Sequence, residues 1–141
     1  MQNKALKYIL IGLVCLLLPS CYKSDINGQL DGQWQLMSID NLADGQISYP
    51  DQLYYSFQQH TARLGQVDLS NATGEPVPTR YICNLDYNNP TVVLTVVAPS
   101  NLDELHKWGM YESPTTFTIT TLNREELVLV SEQARLTLRR Y

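Results

Sequence analysis

The sequence predicts an all-β protein whose strands close into one antiparallel up-and-down barrel. Beyond residue 31, runs that are rich in Tyr, Val, Thr, Leu and Phe alternate with a period of two, as in strands with one buried face. Asn, Asp, Gly and Pro separate these runs, and a helical pattern occurs in one short stretch. Eight short strands remove their exposed edges most economically by closing into a barrel; a two-sheet sandwich is the alternative.

The chain begins with the pattern of a secretory signal, assigned to residues 1–20. Two lysines precede an apolar run over residues 8–18, which leads into Leu-Pro-Ser-Cys. The run is shorter than the roughly 20 residues of a membrane-spanning helix, and Pro19 interrupts it. We therefore expect a cleaved lipoprotein signal, with diacylglyceryl and fatty acyl groups such as palmitate on Cys21. A plain cleaved signal and a retained anchor are the alternatives.

A lipid on Cys21 implies a location in the bacterial cell envelope, attached to a membrane, with the outer membrane as the expected one. Residues 21–30 are polar and include an Asn-Gly pair, so we expect a flexible tether between the lipid and the folded part. The folded domain is then expected to span residues 31–141.

Cysteine usage agrees with an anchored chain without disulfides. Cys15 leaves with the signal and Cys21 carries the lipid, so Cys83 has no partner within the chain. Cys83 alternates with Tyr81 and Leu85. That spacing predicts a buried small hydrophobic side chain, and a reactive thiol is the alternative.

The first four expected strands are separated by turn-forming residues. The strand over residues 32–40 is followed by a loop that contains Asp-Gly and a proline, and residues 53–59 and 62–69 flank a short polar turn. Residues 70–78 contain one glycine and two prolines, which do not fit a sheet interior. A loop is therefore expected before the fourth strand, residues 79–87.

An Asn-Asn-Pro turn leads into the fifth strand, residues 91–98, which is apolar on both faces. Some element must cover its outer side. The expected cover is the one short helix, residues 102–108, which Asn101 can cap and Gly109 can terminate. The last three expected strands follow this helix as a meander over residues 115–121, 126–131 and 134–140.

Two parts of the chain carry a family resemblance. Gly32 and Trp34 form a Gly-x-Trp motif at the start of the first strand, and the last strand ends in two arginines. Together with the Leu-Pro-Ser-Cys lipoprotein signal, these features make the chain resemble small lipocalin-like lipoproteins of Bacteroides-type bacteria. The resemblance implies a calycin-type barrel and no established activity. It also implies that an arginine packs on Trp34; Arg140 shares the inward phase of the last strand, and Arg139 is the alternative.

The predicted barrel interior is apolar with a few phenol groups, and an eight-stranded barrel can be filled by side chains or can hold one small ligand. The sequence is compatible with both a filled barrel and a barrel that holds a ligand. If a pocket exists, its lining suits a small hydrophobic ligand. The residues expected to contact that ligand are Tyr55, Phe57, Tyr81 and Tyr87.

The alternative function is an adaptor or inhibitor-like module that binds a protein partner through its outer surface. The contacts expected in that case are Tyr54, the short helix and the loop over residues 70–78. A cavity in the barrel would favour the ligand, and a filled interior would favour the outer surface.

Composition and spacing argue against several other functions. Without the signal the chain has 8 basic and 14 acidic side chains, a net charge of −6, which does not suit a nucleic-acid partner. His60 lies in a polar turn and His106 beside charged residues of the helix, and neither has metal-ligand or nucleophile spacing. We therefore expect no catalytic residues, no metal and no cofactor.

Overall fold

The computed structural model describes residues 25–68, 77–98 and 101–141. The predicted signal, the predicted lipidation site Cys21 and most of the loop over residues 70–78 lie outside these ranges. The described strands are β1 (Gly32–Asn41), β2 (Ile47–Ser48), β3 (Leu53–Gln58), β4 (Thr61–Gln66), β5 (Thr79–Asn88), β6 (Thr91–Val96), β7 (Thr115–Leu122), β8 (Glu126–Val130) and β9 (Ala134–Arg140).

The strands form one closed antiparallel barrel. From β3 to β9 each strand pairs with the next in sequence, and β1 pairs with both β3 and β9, which closes a ring of eight. The short β2 pairs with β1 beside this ring. The eight-stranded up-and-down barrel predicted from the sequence is confirmed, and the sandwich is wrong.

The predicted strands are all present, but some ends and one element differ. The predicted third and fifth strands extend two or three residues too far; the fifth ends at Val96, and Ala98 just beyond it has a left-handed backbone with φ +51°. The short strand β2 was not predicted, because its two residues are both exposed and show no alternation of buried and exposed side chains.

A bulge in β1 changes which side chains face the interior. Trp34 and Leu36 point inward, the register against β9 shifts between Leu36 and Ser38, and Ile39 is the next buried residue. A β-bulge adds one residue to one strand and so reverses the alternation beyond it. Ile39 was therefore missed as a core residue.

The N-terminal end of the described chain closes one end of the barrel, which we call the base. A 3₁₀ helix (Gly28–Leu30) places Leu30 in the core with no exposed surface. The amide of Asn27 donates hydrogen bonds of 2.7 Å to both Asp31 Oδ1 and the Gln59 carbonyl. The folded part therefore begins before residue 31, inside the segment expected to be a tether.

A second 3₁₀ helix (Leu102–Trp108), which we call the plug helix, closes the opposite end, the mouth. Asn101 caps it, since its side-chain oxygen accepts a hydrogen bond from Asp103 N, and Gly109 ends it with φ +74°. A Cβ on Gly109 would approach Leu136 Cδ2 to 2.3 Å. Glycine is thus required here by both backbone conformation and close packing.

The plug helix does not cover the outer side of β6, so that prediction is wrong. Its Leu105 and Trp108, and Met110 after it, are buried in the core, and Leu102 is 42% exposed. On the outer side of β6, Val93 is half-buried, and Val97 just after the strand is exposed. Threonines alternate with these valines, so the outer face carries enough polar groups to meet water.

The core fills the space between the base and the mouth. Apart from Tyr81 and Ile119, which are half-buried, every residue of the apolar inward phase expected from the sequence is buried. Core residues contributed by the base, by β4 and by the plug segment include Leu30, Ala62, Leu64, Leu105, Trp108 and Met110.

None of the helices in the described ranges is long and apolar enough to cross a membrane.

Candidate functional site

The mouth of the barrel, where a ligand would enter, is occupied by Trp108. Its indole Nε1 donates to the Gly65 carbonyl at 3.3 Å, and its own carbonyl accepts a 2.5 Å hydrogen bond from the Tyr55 hydroxyl. The Tyr81 ring meets the indole edge to face, with centroids 5.7 Å apart. Tyr81 also donates to the Glu104 carboxylate on the plug helix. Two side chains, from β3 and β5, and one backbone carbonyl, from β4, thus hold the plug helix in place.

The four residues predicted to bind a ligand do not line one cavity. Tyr55 and Tyr81 both contact Trp108, and Phe57 stacks beside Tyr55 with centroids 6.0 Å apart. Tyr87 lies six residues along β5 from Tyr81, which corresponds to about 20 Å of strand. Tyr55 and Phe57 are buried and serve the core.

The interior between these residues is packed. A cavity that admits a ligand leaves exposed surface on its walls, and apart from the half-buried Tyr81 and Ile119 the inward side chains are at most 5% exposed. Side chains without any exposed surface are Trp34, Leu36, Tyr55, Leu64, Cys83, Val92, Leu94, Phe117, Leu127, Leu129, Leu136 and Leu138. A hydrophobic ligand inside the barrel therefore stays a prediction, and it would require Trp108 to leave the mouth.

At the base, Gly32, Trp34 and Arg140 form one packed unit. The guanidinium carbon of Arg140 lies 3.9 Å from the centroid of the Trp34 ring, and Nη1 donates to the Asp31 carbonyl at 2.8 Å. A Cβ on Gly32, whose φ is +129°, would lie 2.2 Å from that Nη1. The glycine of the Gly-x-Trp motif thus makes room for the arginine. Trp34 Nε1 donates to the Leu30 carbonyl at 2.9 Å, and this hydrogen bond joins the 3₁₀ helix at the base (Gly28–Leu30) to β1.

Arg139, the alternative partner of Trp34, points outward instead. Its Nη2 donates to Gln35 Oε1 at 2.8 Å on the outer face. Of the two arginines considered, the one in the inward phase of the last strand, Arg140, is therefore the one that packs on Trp34.

Cys83 is free and buried in the barrel wall, and burial raises the pKa of its thiol to about 12. Burial likewise raises the pKa of the Tyr55 hydroxyl well above its usual value, with the nearby Cys83 as a smaller cause. Both groups are thus held in their neutral forms, and the thiol has none of the character of a nucleophile.

We expect Cys83 to be inert in the folded protein. In residues 21–141 with Cys21→Ser, Cys83 is the single thiol, and at pH 8 Ellman's reagent should react with it only after unfolding in urea. Reaction of the folded protein at the rate of a free thiol would contradict this burial.

The same burial predicts a loss of stability at alkaline pH. The folded thiol has a pKa of about 12 against an ordinary value of 9.0. Its stabilising contribution is therefore complete below pH 9 and is lost as the pH rises from 9 towards 12. Urea titrations at pH 8 and pH 10.5 should show a smaller pH dependence for Cys83→Ala than for the parent chain; equal dependence would contradict the assignment.

Two of the expected outer contacts can be located. Tyr54 is almost fully buried, because Tyr141 packs on it edge to face at 4.9 Å and its hydroxyl bonds to Gln52 Oε1. It is therefore not the exposed contact that was expected. The plug helix does present Leu102 to solvent. Of the loop over residues 70–78, the structure describes Val77 and Pro78 alone.

An exposed apolar patch that was not predicted from the sequence lies at the mouth end of β1. The patch consists of Leu42, Ile47 and Tyr49, which are 42%, 53% and 77% exposed, on β2 and the segments that flank it. The turn between β1 and β2 is held by hydrogen bonds from Gln46 N to Asp44 Oδ1 and from Gly45 N to the Asn41 carbonyl. Exposed residues show no burial rhythm, so periodicity could not have found this patch.

The two histidines are exposed as expected, and the ring of His106 lies 4.7 Å from that of Tyr111. Within the described ranges, no group of three or more His, Cys, Asp or Glu side chains is placed to hold a metal ion.

Comparison with known proteins agrees with this architecture. No curated protein matches the chain. A lipocalin-like protein from Bacteroides uniformis superposes with a TM-score of 0.65 at 21% identity, over 81% of this chain and 100% of that one. An uncharacterised protein from Bacteroides eggerthii superposes with a TM-score of 0.64 at 16% identity, over 79% and 99%. The family model for the lipocalin-like domain matches residues 15–141. The chain therefore belongs to the lipocalin-like family.

Proposed function

We propose that this chain is a non-catalytic, lipid-anchored binding module of the cell envelope, which recognises a protein partner through its outer surface. The observation that carries the proposal is the packed interior, where Trp108 takes the place that a ligand in the mouth would need. The lipocalin-like fold is consistent with a binding role, and the sequence lacks the spacing of a catalytic set.

The apolar patch at the mouth is the surface best suited to a partner. Monomeric proteins seldom expose neighbouring large apolar side chains without a functional reason. Leu42, Ile47 and Tyr49 are accompanied by Asp44 and Asp51, so the patch has the apolar centre and polar rim of a small interface.

The position of the patch fits a membrane anchor at the other end of the barrel. The described chain starts beside the base at Asp25, whereas β2 pairs near the far end of the ten-residue β1. At about 3.3 Å per residue these two points are about 30 Å apart. A lipid on Cys21 would therefore hold the base towards the membrane and present the patch to the medium.

The anchor is tested by Cys21→Ser expressed in the native host. In cells supplied with labelled palmitate, the parent protein should incorporate the label and the variant should not, because no thiol remains at residue 21 to accept lipid. If the parent is not labelled, or the variant is labelled as strongly, the lipoprotein assignment is wrong.

The partner surface is tested by photocrosslinking in the native host. A benzophenone side chain in place of Tyr49 should give a discrete protein adduct, which should disappear when Leu42 and Ile47 are both replaced by serine. The control is the same side chain in place of Asn84, which is exposed on β5. Identical adducts at both positions, or none at Tyr49, would contradict a partner at this patch.

A further inference from the structure

A polar groove of about 570 Å³ opens on the outer surface at the base of the barrel. It lies between the segment that precedes β1 and the outward side of the β3–β4 hairpin, far from both the mouth and the apolar patch. Its size falls within the range of roughly 300–1,000 Å³ that is typical of small-molecule sites.

The walls of the groove are fixed by hydrogen bonds. Asn27 ties the segment before β1 to Asp31 and to the Gln59 carbonyl, and Arg140 holds the Asp31 carbonyl at 2.8 Å. Because these contacts also form the base of the barrel, the groove is present before any ligand binds. A preformed site loses less conformational freedom on binding.

Uncharged hydrogen-bonding side chains dominate the floor. Gln33 pairs across the strands with Ser56, and Ser56 pairs with Arg63, so all three stand in one row on the outer face. Gln58 lines the groove beside this row. The Gln33 Nε2 atom is buried without a hydrogen-bond partner among the described residues. A buried donor without a partner is unfavourable. Because this atom has no exposed surface, it reaches a ligand oxygen only when the Gln33 side chain turns into the groove.

The charges and the shape of the groove exclude several classes of ligand. The carboxylates of Asp25 and Asp31 outnumber the guanidinium of Arg63, which disfavours an anion. Phe57 borders the groove but is only 2% exposed, so no aromatic ring is offered to a lipid, and the exposed lining is more polar than apolar.

A peptide is disfavoured as well. At the groove β1 is paired with β3 and β9, and β3 is paired with β1 and β4, so no free strand edge can accept an added strand. The floor also lacks the apolar or aromatic pockets that peptide-binding grooves use. Amides and hydroxyls remain, which can both donate to and accept from hydroxyl groups, together with an arginine, which can only donate.

We propose that this groove is a binding site for a neutral, hydroxyl-rich ligand, a short oligosaccharide, with Gln33 donating to a ligand oxygen. The site is independent of the partner surface at Leu42, Ile47 and Tyr49, and either proposal can fail without the other.

The test is a titration of the ¹⁵N-labelled chain, residues 21–141 with Cys21→Ser, followed by NMR. The probes are maltopentaose, cellopentaose and mannopentaose, with tetragalacturonate as the acidic comparison and a neutral Ser-Gln pentapeptide as the peptide comparison. At least one neutral sugar should give saturable shifts at Gln33, Ser56, Gln58 and Arg63. Gln33→Leu and Arg63→Ala should each weaken its binding at least tenfold.

Gln35→Leu is the matched control, because Gln35 stands two residues along the same outer face but is bonded to Arg139. It should bind the sugar like the parent, and melting temperatures show whether each variant is folded. The proposal is overturned if no neutral sugar gives saturable shifts up to 20 mM, if the shifts lie outside the groove, if Gln35→Leu is weakened as much as Gln33→Leu, or if the peptide or the acidic sugar binds more tightly.

Discussion

Trp34→Ala is expected to lower the free energy of unfolding by about 3–5 kcal/mol, the usual cost of removing a large aromatic side chain from a core. Trp34 has no exposed surface, its Nε1 bonds to the Leu30 carbonyl, and Arg140 stacks on its ring at 3.9 Å. Its loss would leave a cavity, an unpaired carbonyl and a guanidinium without its aromatic partner.

Urea denaturation of Trp34→Ala and of a surface control measures this effect. The control is Tyr49→Ala, which removes an aromatic ring that is 77% exposed and should change stability by no more than about 0.5 kcal/mol. A loss of less than about 1 kcal/mol for Trp34→Ala would mean that the base does not depend on this packing.

Trp108→Ala is expected to be destabilising to a similar degree, about 3–5 kcal/mol, and in addition to open the barrel. Truncation removes the indole from among Tyr81, Leu105 and the Gly65 carbonyl, and it leaves an apolar space with one hydrogen-bond acceptor. Apolar cavities of this kind in other proteins stay dry and bind small aromatic molecules.

Added indole should therefore raise the melting temperature of Trp108→Ala and leave that of the parent chain unchanged. Leu102→Ala is the matched control on the same helix, since Leu102 is 42% exposed. It should remain close to the parent in stability and should not respond to indole. A parent chain that responds to indole, or a Trp108→Ala variant that neither loses stability nor binds indole, would contradict the plugged mouth.

The sequence was sufficient to predict the barrel and the packing of an arginine on Trp34 at its base. Period-two patterning and turn residues located eight strands. The family resemblance implied an arginine on Trp34, and the phase of β9 selected Arg140, because alternation on a regular strand decides which side chains face inward. The bulge after Leu36 could not be predicted, since the one-residue shift arises from pairing with β9 and leaves no pattern in the local sequence.

The packing of the plug helix in the mouth also could not be predicted, and here the reason is different. The apolar stripe of Leu102, Leu105 and Trp108 indicated that one side of the short helix is buried. Leu105 and Trp108 are buried and Leu102 is 42% exposed, and a stripe does not say against which surface it packs. The contacts that direct it into the mouth come from Gly65 and Tyr55, which are distant in sequence. The outer groove depends in the same way on the segment before β1 folding back onto the β3–β4 hairpin.

These differences change how the four aromatic residues of the predicted ligand site are interpreted. Tyr55 and Phe57 belong to the core, Tyr81 braces the plug helix, and Tyr87 lies at the other end of β5. Recognition is accordingly expected on the outside, at the apolar patch near the mouth and at the polar groove near the base. The two surfaces differ in chemistry and lie at opposite ends of the barrel.

Native mass spectrometry of the Cys21→Ser protein, purified from its own host, decides whether the barrel interior is filled by the chain's own side chains or by a ligand. The variant carries no covalent lipid at residue 21, so any lipid-sized adduct must be held non-covalently. The filled interior predicts the mass of the bare chain. A stoichiometric lipid-sized adduct that is released when the protein unfolds would contradict it.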